Sequence, residues 1–310
     1  MIRVGPAGWS YKDWEGIVYP TQKGSKFDPL AYLAEFFDTI ELNFKLTRLI
    51  VDDVLSMVRE GAIKISGLHN ICPLPAEISP EKASPDYYSL ASLDEEVRKK
   101  AVKVTKNTID YAARLKAPAV ILHAGMVEVK DRTRELAGSF ADKDKYEQVK
   151  KRMIEERAQK RAGHLESVIR SLKDLVPHAK GSGIALCVEN RYYYREIPVI
   201  DEFEEIFKSF KAGELFYWHD VGHAEVFERL GLCRHTDLLK KFAGRLKGIH
   251  LHDIIGLIND HKAPGSGTFD FGVVAPYLRP DTLKVIEAHQ PATGDEIRRS
   301  VELLTKILGE

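Results

Sequence analysis

Short apolar runs alternate with longer amphipathic runs along the whole chain. Eight apolar runs have the length and residue content of strands, and they cover residues 2–8, 38–43, 62–69, 118–124, 183–190, 214–220, 245–252 and 282–289. Amphipathic runs that predict helices cover residues 27–37, 50–60, 93–116, 145–180, 199–211, 235–243, 271–278 and 294–308. Eight strand–helix repeats predict an α/β fold, a (β/α)8 TIM barrel. The alternative, a doubly wound open sheet, would need a Gly-rich dinucleotide turn, and none follows the first strand.

The domain organisation follows from the continuity of this pattern. No low-complexity linker or solenoid repeat divides the 310 residues, so one domain over residues 1–310 is predicted. Loop insertions are predicted near 70–92 and near 125–162, where the second becomes the densest charge run in the chain. This run is interpreted as a solvated helix face, and a helix over 145–180 is expected to break near Gly163 or Pro177.

Composition adds limits on location and partners. Lys and Arg number 46 and so do Asp and Glu, so bulk attraction to nucleic acid or to an anionic membrane is not indicated. A local basic groove remains compatible with this balance. The cysteines Cys72, Cys187 and Cys233 are odd in number and far apart, which predicts a reduced cytoplasmic protein. No signal peptide and no membrane-spanning run is recognised, and the oligomeric state is left open.

The candidate chemistry centres on residues 248–271, GIHLHDIIGLINDHKAPGSGTFDF. Period-two alternation places His250 and His252 on one face of the predicted seventh strand. A TIM barrel carries its chemistry at the carboxyl ends of its strands. Eight of the eleven histidines fall at those ends or just beyond them, namely His69, His123, His219, His223, His250, His252, His261 and His289. One such histidine is more often structural than functional, but eight at one rim predict a metal or catalytic site.

Three carboxylates follow the same rule. Glu189, Asp220 and Glu287 end the predicted strands five, six and eight. His223 follows Asp220 by three residues, within one turn, and is a further candidate metal ligand that is able to share a centre with it. Alternation aims Glu189 inward with Cys187, and Glu287 inward with Val285. A carboxylate in a barrel interior is costly unless it is paired or bound to metal, so a metal site is favoured over isolated salt bridges.

Together these residues resemble the xylose-isomerase-like TIM-barrel superfamily, with its sugar phosphate isomerases and epimerases and its endonuclease IV relatives. The resemblance to the epimerase branch implies one divalent ion held by Glu189, Asp220, His250 and Glu287, with His223 in contact with the substrate. It also implies that Glu189 and Glu287 are catalytic and shuttle a proton. The ion would be Zn²⁺ or Mn²⁺, with Mg²⁺ or Co²⁺ also compatible. The opening GWSYKDW is similar to the start of an uncharacterised barrel family.

The endonuclease branch implies further metal ligands, and His69, His123 and His261 match them. Asn259 stands where that branch has Asp, although Asp260 is adjacent, so the sequence leaves a third ion open. Under this hypothesis two or three ions would hydrolyse a phosphodiester, either abasic DNA or a small molecule. Nucleic acid is a partner only under this alternative.

The first hypothesis is a metal-dependent sugar or sugar-phosphate isomerase or epimerase, which transfers a proton next to a metal-bound carbonyl. Arg191 and Arg195 are candidates to hold a phosphate or carboxylate of the substrate, with surface solvation as the alternative. Further candidates for substrate contact are His252, Asp253 and Trp218, although Trp218 could equally pack beneath a loop. A barrel without catalytic activity is the third alternative, which the intact ligand set disfavours.

Overall fold

Eight parallel strands close into a barrel in the computed structural model, which describes residues 9–12, 37–289 and 291–309. The barrel strands are Trp9–Lys12 (β1), Thr39–Leu42 (β2), Lys64–His69 (β3), Ala119–Leu122 (β4), Ala185–Glu189 (β5), Phe216–Asp220 (β6), Leu246–Leu251 (β7) and Leu283–Ile286 (β10). A separate antiparallel hairpin follows β7 and consists of Asp253–Ile255 (β8) and Asn259–Lys262 (β9). The predicted TIM barrel is therefore confirmed, whereas the predicted strand at 2–8 and nearly all of the helix at 27–37 lie outside the described residues.

The helices surround this barrel. They are Arg48–Arg59 (α1), Glu95–Arg114 (α2), Thr133–Gly138 (α3), Lys143–Gly181 (α4), Ile200–Lys208 (α5), Val221–Arg229 (α6), His235–Phe242 (α7) and Gly294–Leu308 (α8). The sequence pattern did not predict α3 and α6. The helix predicted over 271–278 is wrong, since this segment forms two 3₁₀ turns, Phe271–Val273 and Ala275–Tyr277. Pro276 has no N–H and its ring clashes with the carbonyl four residues earlier, which prevents a continuous α-helix there.

The predicted break in the long helix is also wrong, because α4 runs for 39 residues without interruption. A Cβ at Gly163 would lie 3.2 Å from Cδ2 of Leu93, so this glycine permits a close contact between segments instead of ending the helix. Pro177 stands near the carboxyl end of α4, where few hydrogen bonds remain to be lost. No helix among the described residues is sufficiently long and apolar to cross a membrane.

The barrel interior is closed below its carboxyl end by packed side chains. One buried cluster joins neighbouring strands through Ala119, Ile121, Cys187, Trp218 and Val285. Cys187 and Val285 thus point inward, as the alternation of β5 and β10 predicts. The indole of Trp218 packs so closely on β7 that a Cβ at Gly248 would fall 2.2 Å from the ring. Trp218 forms the floor of the site above it.

A buried ion pair fixes the loop after β5 to the long helix. Arg157 of α4 donates from Nη1 to Glu202 Oε1 at 2.6 Å and from Nη2 to Glu202 Oε2 at 2.7 Å. Its Nη2 also donates to the carbonyl of Glu196 at 2.8 Å. Arg157 and Glu202 are fully buried. Removing one partner of such a pair leaves an uncompensated buried charge.

We therefore expect Arg157→Met to lower the free energy of unfolding by about 3–5 kcal/mol. Arg161 lies on the same helix as Arg157 and makes a more exposed ion pair with Glu205 of α5. Arg161→Met should therefore cost about 1 kcal/mol or less. Urea denaturation of both variants measures the difference. Equal losses in the two variants would show that Arg157 contributes no more than a surface arginine.

Candidate metal centre

Four side chains converge at the carboxyl end of the barrel: Glu189 from β5, Asp220 from β6, His250 from β7 and Glu287 directly after β10. Nδ1 of His250 lies 2.7 Å from Glu189 Oε1, 2.8 Å from Glu287 Oε2 and 3.6 Å from Asp220 Oδ2. All four residues are buried. Adjacent strands bring them together because Asp220 pairs with His250 and His250 pairs with Val285 in the parallel ladder.

These residues fit a divalent cation. Three carboxylates and one imidazole are a donor set for Zn²⁺ or Mn²⁺. Oε2 of Glu287 is buried and has no hydrogen-bond partner, although it faces Nδ1 of His250. An orphaned carboxylate oxygen is costly in a protein interior, and a metal ion would satisfy it.

Charge within this group is balanced by mutual pairing. Burial alone would lower the pKa of His250, but the carboxylates of Glu287 and Glu41 raise it well above its usual range. Burial alone would raise the pKa of Glu189, but hydrogen bonds with His123 and His250 hold it well below its usual range. Without metal, His250 is therefore a cation between ionised carboxylates. A metal ion would displace the proton from Nδ1.

Glu41 on β2 supports His250 from the side opposite the ligand atoms. Both of its oxygens lie 3.1 Å from Nε2 of His250, and the residue is completely buried. With Nε2–H donated to Glu41, Nδ1 is left to bind metal, and the carboxylate makes the imidazole more basic. Sequence analysis missed this residue, although a glutamate in the apolar strand TIEL was the available signal.

Asp220 is held by His252. Nε2 of His252 donates to Asp220 Oδ1 at 2.9 Å, while its Nδ1 accepts the backbone N–H of His261 at 2.9 Å. Both ring nitrogens are occupied and the side chain is fully buried. The geometry makes His252 a residue that orients a ligand, and the predicted substrate contact has no support from its position.

Asp253 and Trp218 are also held by contacts within the protein. Asp253 Oδ2 accepts the backbone N–H groups of Gly265 and Gly267, each at 2.9 Å, and its Oδ1 accepts that of Phe269 at 3.0 Å. Asp253 is buried and organises the loop after the β8–β9 hairpin. Trp218 is buried in the barrel, with its ring centroid 5.1 Å from that of His250. Neither side chain is placed as the predicted sugar contact requires.

A second group of possible ligands consists of His69, His123 and Glu189. Oε2 of Glu189 lies 3.6 Å from Nε2 of His69 and 3.1 Å from Nε2 of His123. Arg191 reaches into this group, since its Nη1 donates to Glu189 Oε2 at 2.6 Å and lies 2.5 Å from His123 Nε2. A cationic guanidinium therefore contacts both Glu189 and His123. Asp86, in the predicted 70–92 insertion, contacts the other nitrogen of His123 at 3.3 Å.

A third group forms where the β8–β9 hairpin meets α6. Asp260 Oδ1 lies 3.0 Å from Nδ1 of His261, and Asp260 Oδ2 lies 3.9 Å from Nε2 of His223. Asp260 Oδ2 is buried and has no hydrogen-bond partner. Asn259 is exposed and pairs with Ile255 in the hairpin. The carboxylate of this third group is therefore that of Asp260, and Asn259 takes no part in it.

These groups line one cavity of about 480 Å³. The predicted site residues along its wall are His69, His123, Glu189, Arg191, Arg195, His223, His261 and Glu287. The wall also includes His289, one of the predicted rim histidines, and charged residues that sequence analysis did not single out, among them Lys12, Asp86, Arg134 and Glu196. Arg134 belongs to α3, so part of the 125–162 insertion covers the site.

Three histidines outside this cavity have structural partners. His219 Nε2 lies 2.8 Å from Nε2 of His235, and both rings are buried between β6 and α7. His164 Nδ1 lies 2.8 Å from the carbonyl of Ala91. His219 ends a strand as the predicted rim histidines do, but alternation turns it away from Asp220 toward the helices.

Comparison with known proteins assigns the family. A sequence model described as xylose isomerase-like TIM barrel matches residues 30–307. The chain belongs to this family. A model described as a protein of unknown function, DUF72, matches residues 3–50. The uncharacterized protein MJ1614 of Methanocaldococcus jannaschii is 22% identical to this chain over 282 residues, which cover 89% of this chain and 93% of that protein.

Solved structures with similar folds include sugar epimerases. A D-tagatose 3-epimerase-like protein has a TM-score of 0.68 at 19% identity, covering 97% of both chains. The 3-keto-D-glucoside 4-epimerase of E. coli has a TM-score of 0.63 at 17% identity, covering 96% of this chain and 99% of its own. The IolI protein with a bound zinc atom has a TM-score of 0.65 at 14% identity, covering 97% and 98%. Identities this low show a shared fold.

The contact between Glu41 and His250 gives a test of the metal centre. Glu41→Gln removes a buried negative charge. That charge stabilises a bound divalent ion more than it stabilises the proton that the ion displaces from His250. We expect the affinity for Mn²⁺ or Zn²⁺ to fall about 10- to 100-fold, as is usual when the support of a ligand is lost. The affinity of the wild type should rise with pH up to the raised pKa of His250, and in the variant this rise should end at a lower pH, because Glu41 contributes to raising that pKa.

Isothermal titration calorimetry at several pH values measures both effects. Glu204→Gln, on the exposed face of α5, is the control and should bind metal as the wild type does. Unchanged affinity in Glu41→Gln would exclude Glu41 as a support of the metal ligand.

Proposed function

We propose that this chain is a divalent-metal-dependent isomerase or epimerase of a sugar or sugar phosphate. The observation that carries the proposal is the arrangement of two ionised glutamates, Glu189 and Glu287, on either side of Nδ1 of His250. One oxygen of each glutamate lies close to Nδ1 of His250. The other oxygen faces a residue that lines the cavity, His123 for Glu189 and His261 for Glu287. The similar folds of sugar epimerases support the same reaction class.

The roles of the residues follow from their positions. A divalent ion held by Glu189, Asp220, His250 and Glu287 would supply a Lewis acid that draws electron density from the substrate carbonyl. Glu287 Oε1 is proposed to accept the proton from the adjacent carbon, and Glu189 to return it on the other face. Both groups are ionised and so available to accept a proton, because neighbouring residues, including His123 for Glu189 and His250 for Glu287, hold their pKa values well below the usual range.

The position of Arg191 supports one ion over two. Its Nη1 contacts both Glu189 Oε2 and His123 Nε2, two of the groups that would hold the second ion of an endonuclease-type cluster. A second hydrogen bond, from Nη2 to Glu196 Oε1 at 3.2 Å, holds it there. Glu196 in turn accepts the backbone N–H of Tyr193, so the loop after β5 keeps Arg191 in place.

A multi-metal phosphodiester hydrolase is the second candidate. It is favoured by His69 and His123, which face Glu189, and by the Asp260 and His261 pair, because a one-ion isomerase does not require these groups. Burial and the ammonium group of Lys12 lower the pKa of His69 to about 3, so its imidazole is neutral and able to bind metal. This candidate requires Arg191 to leave its position.

Exchange of a carbon-bound proton tests the first proposal. Metal-loaded protein incubated in D₂O with a panel of ketoses, aldoses and their phosphates should incorporate deuterium next to the carbonyl. Glu287→Gln should lose this exchange by at least about 100-fold at saturating metal, because the proton acceptor is gone. Glu205→Gln on the surface of α5 is the control. Exchange that persists in Glu287→Gln would remove Glu287 from the mechanism.

The number of bound ions separates the two candidates. We expect one ion per chain by elemental analysis, and the same number in His69→Ala. Two or three ions in the wild type, with a loss in His69→Ala, would contradict the isomerase proposal. Assays on bis(p-nitrophenyl) phosphate and on abasic DNA would then test the hydrolase.

A further inference from the structure

Lys12 is a buried cation at the edge of the ligand group. It ends β1, is 4% exposed, and its ammonium group contacts Oε1 of Glu287. The side chain also lines the cavity, so its charge faces the substrate space. Neither the residue pattern nor the family resemblance assigned it a role.

The location of this charge extends beyond its contact with Glu287. The cavity that Lys12 lines is also lined by His69 of β3, on the far side of β2, and by His289, which follows β10. In the strand order, β1 lies between β10 and β2. Lys12 therefore stands between groups that line the cavity on both sides of it.

A second buried lysine in the same barrel provides a comparison. Lys284 at the start of β10 is 3% exposed, and its Nζ donates to the carbonyl of Thr282 at 3.2 Å. This residue lies at the opposite end of the strands, away from the ligand group. Burial of a lysine has a comparable desolvation cost in both places. Only Lys12 places its charge beside the carboxylate that we propose as the base.

We propose that Lys12 is a further catalytic residue. Its ammonium group binds the carbonyl oxygen of the substrate, which lies on the carbon adjacent to the one that exchanges its proton. This inference rests on the proposed function. Glu287 Oε1 takes the proton, the C–H electron pair forms a carbon–carbon double bond, and the carbonyl π pair moves to oxygen. Negative charge thus passes from Glu287 to the carbonyl oxygen of the substrate. The ammonium group of Lys12 lies beside Glu287, where this charge is before the transfer. The reverse movement restores the carbonyl, and Lys12 keeps its proton throughout.

A ligand that resembles the enolised substrate tests this role without knowledge of the sugar. Glycolohydroxamate is planar and carries an oxyanion, and its binding to Co²⁺-loaded protein changes the visible spectrum of the metal. Lys12→Met should bind it roughly 10- to 100-fold more weakly, as expected for the loss of a hydrogen bond to a charged group. Lys12→Arg keeps the charge and should retain most of the affinity. Lys284→Met is the matched control and should bind the probe as the wild type does.

Cobalt affinity and thermal melting of each variant accompany the probe titration. We expect Lys12→Met to bind Co²⁺ at least as tightly as the wild type, because a nearby cation is removed. A weaker Co²⁺ affinity with unchanged probe binding would make Lys12 a structural counter-ion and overturn the inference. Equal loss of probe binding in Lys12→Met and Lys284→Met would also overturn it.

Turnover distinguishes failure of this inference from failure of the proposed function. On a sugar that the wild type turns over, Lys12→Met should lower kcat by roughly 100- to 1000-fold, the usual effect of losing one oxyanion donor. Proton exchange that is indifferent to Lys12 would overturn its catalytic role and leave the isomerase proposal intact. Probe binding that depends on Lys12, in a protein that exchanges no sugar proton, would instead overturn the proposed function.

Discussion

The carboxyl end of this barrel depends on the ion pairs between the imidazole of His250 and the buried carboxylates around it. Glu41 faces one of its nitrogens, while Glu189 and Glu287 face the other. Each carboxylate is buried and would be costly alone. Around one cation they become compatible with the interior, and they are arranged so that a metal ion can replace the proton on Nδ1. The same pairs would make the affinity for a metal ion depend on pH, because the ion would have to displace this proton.

Successive layers of contacts keep this group in place. Trp218 closes the barrel beneath His250, and His252 orients Asp220 from behind. The loop after β5 is held farther out by Arg157, whose bond to the Glu196 carbonyl fixes the residue that also binds Arg191. The residues of the central group are therefore positioned by contacts that extend well outside it. This is consistent with sites that hold their ligands in one geometry before binding.

The cavity combines features of two branches of its family. Its four central residues, Glu189, Asp220, His250 and Glu287, resemble the metal ligands of the sugar epimerases, whereas His69, His123 and His261 resemble additional ligands of the endonucleases. Arg191 lies among the additional group as a cation in contact with Glu189 and His123. The proposal of one ion instead of two rests on these contacts.

The sequence by itself determined the eight-stranded repeat and the residues at the strand ends. Alternation within a strand is local, so Glu189 and Glu287 could be placed inward without knowledge of their neighbours. The roles of the ligand residues remain predictions. Only the tertiary structure decided which groups complete the centre, because those contacts join strands that are distant in the chain. Glu41 meets His250 and Lys12 meets Glu287 through closure of the barrel, and no local periodicity encodes that meeting. Likewise, His252 and Trp218 stand at strand ends as the candidate ligands do. Their contacts in the structure, of His252 with Asp220 and of Trp218 with Gly248, place them behind and beneath the central group.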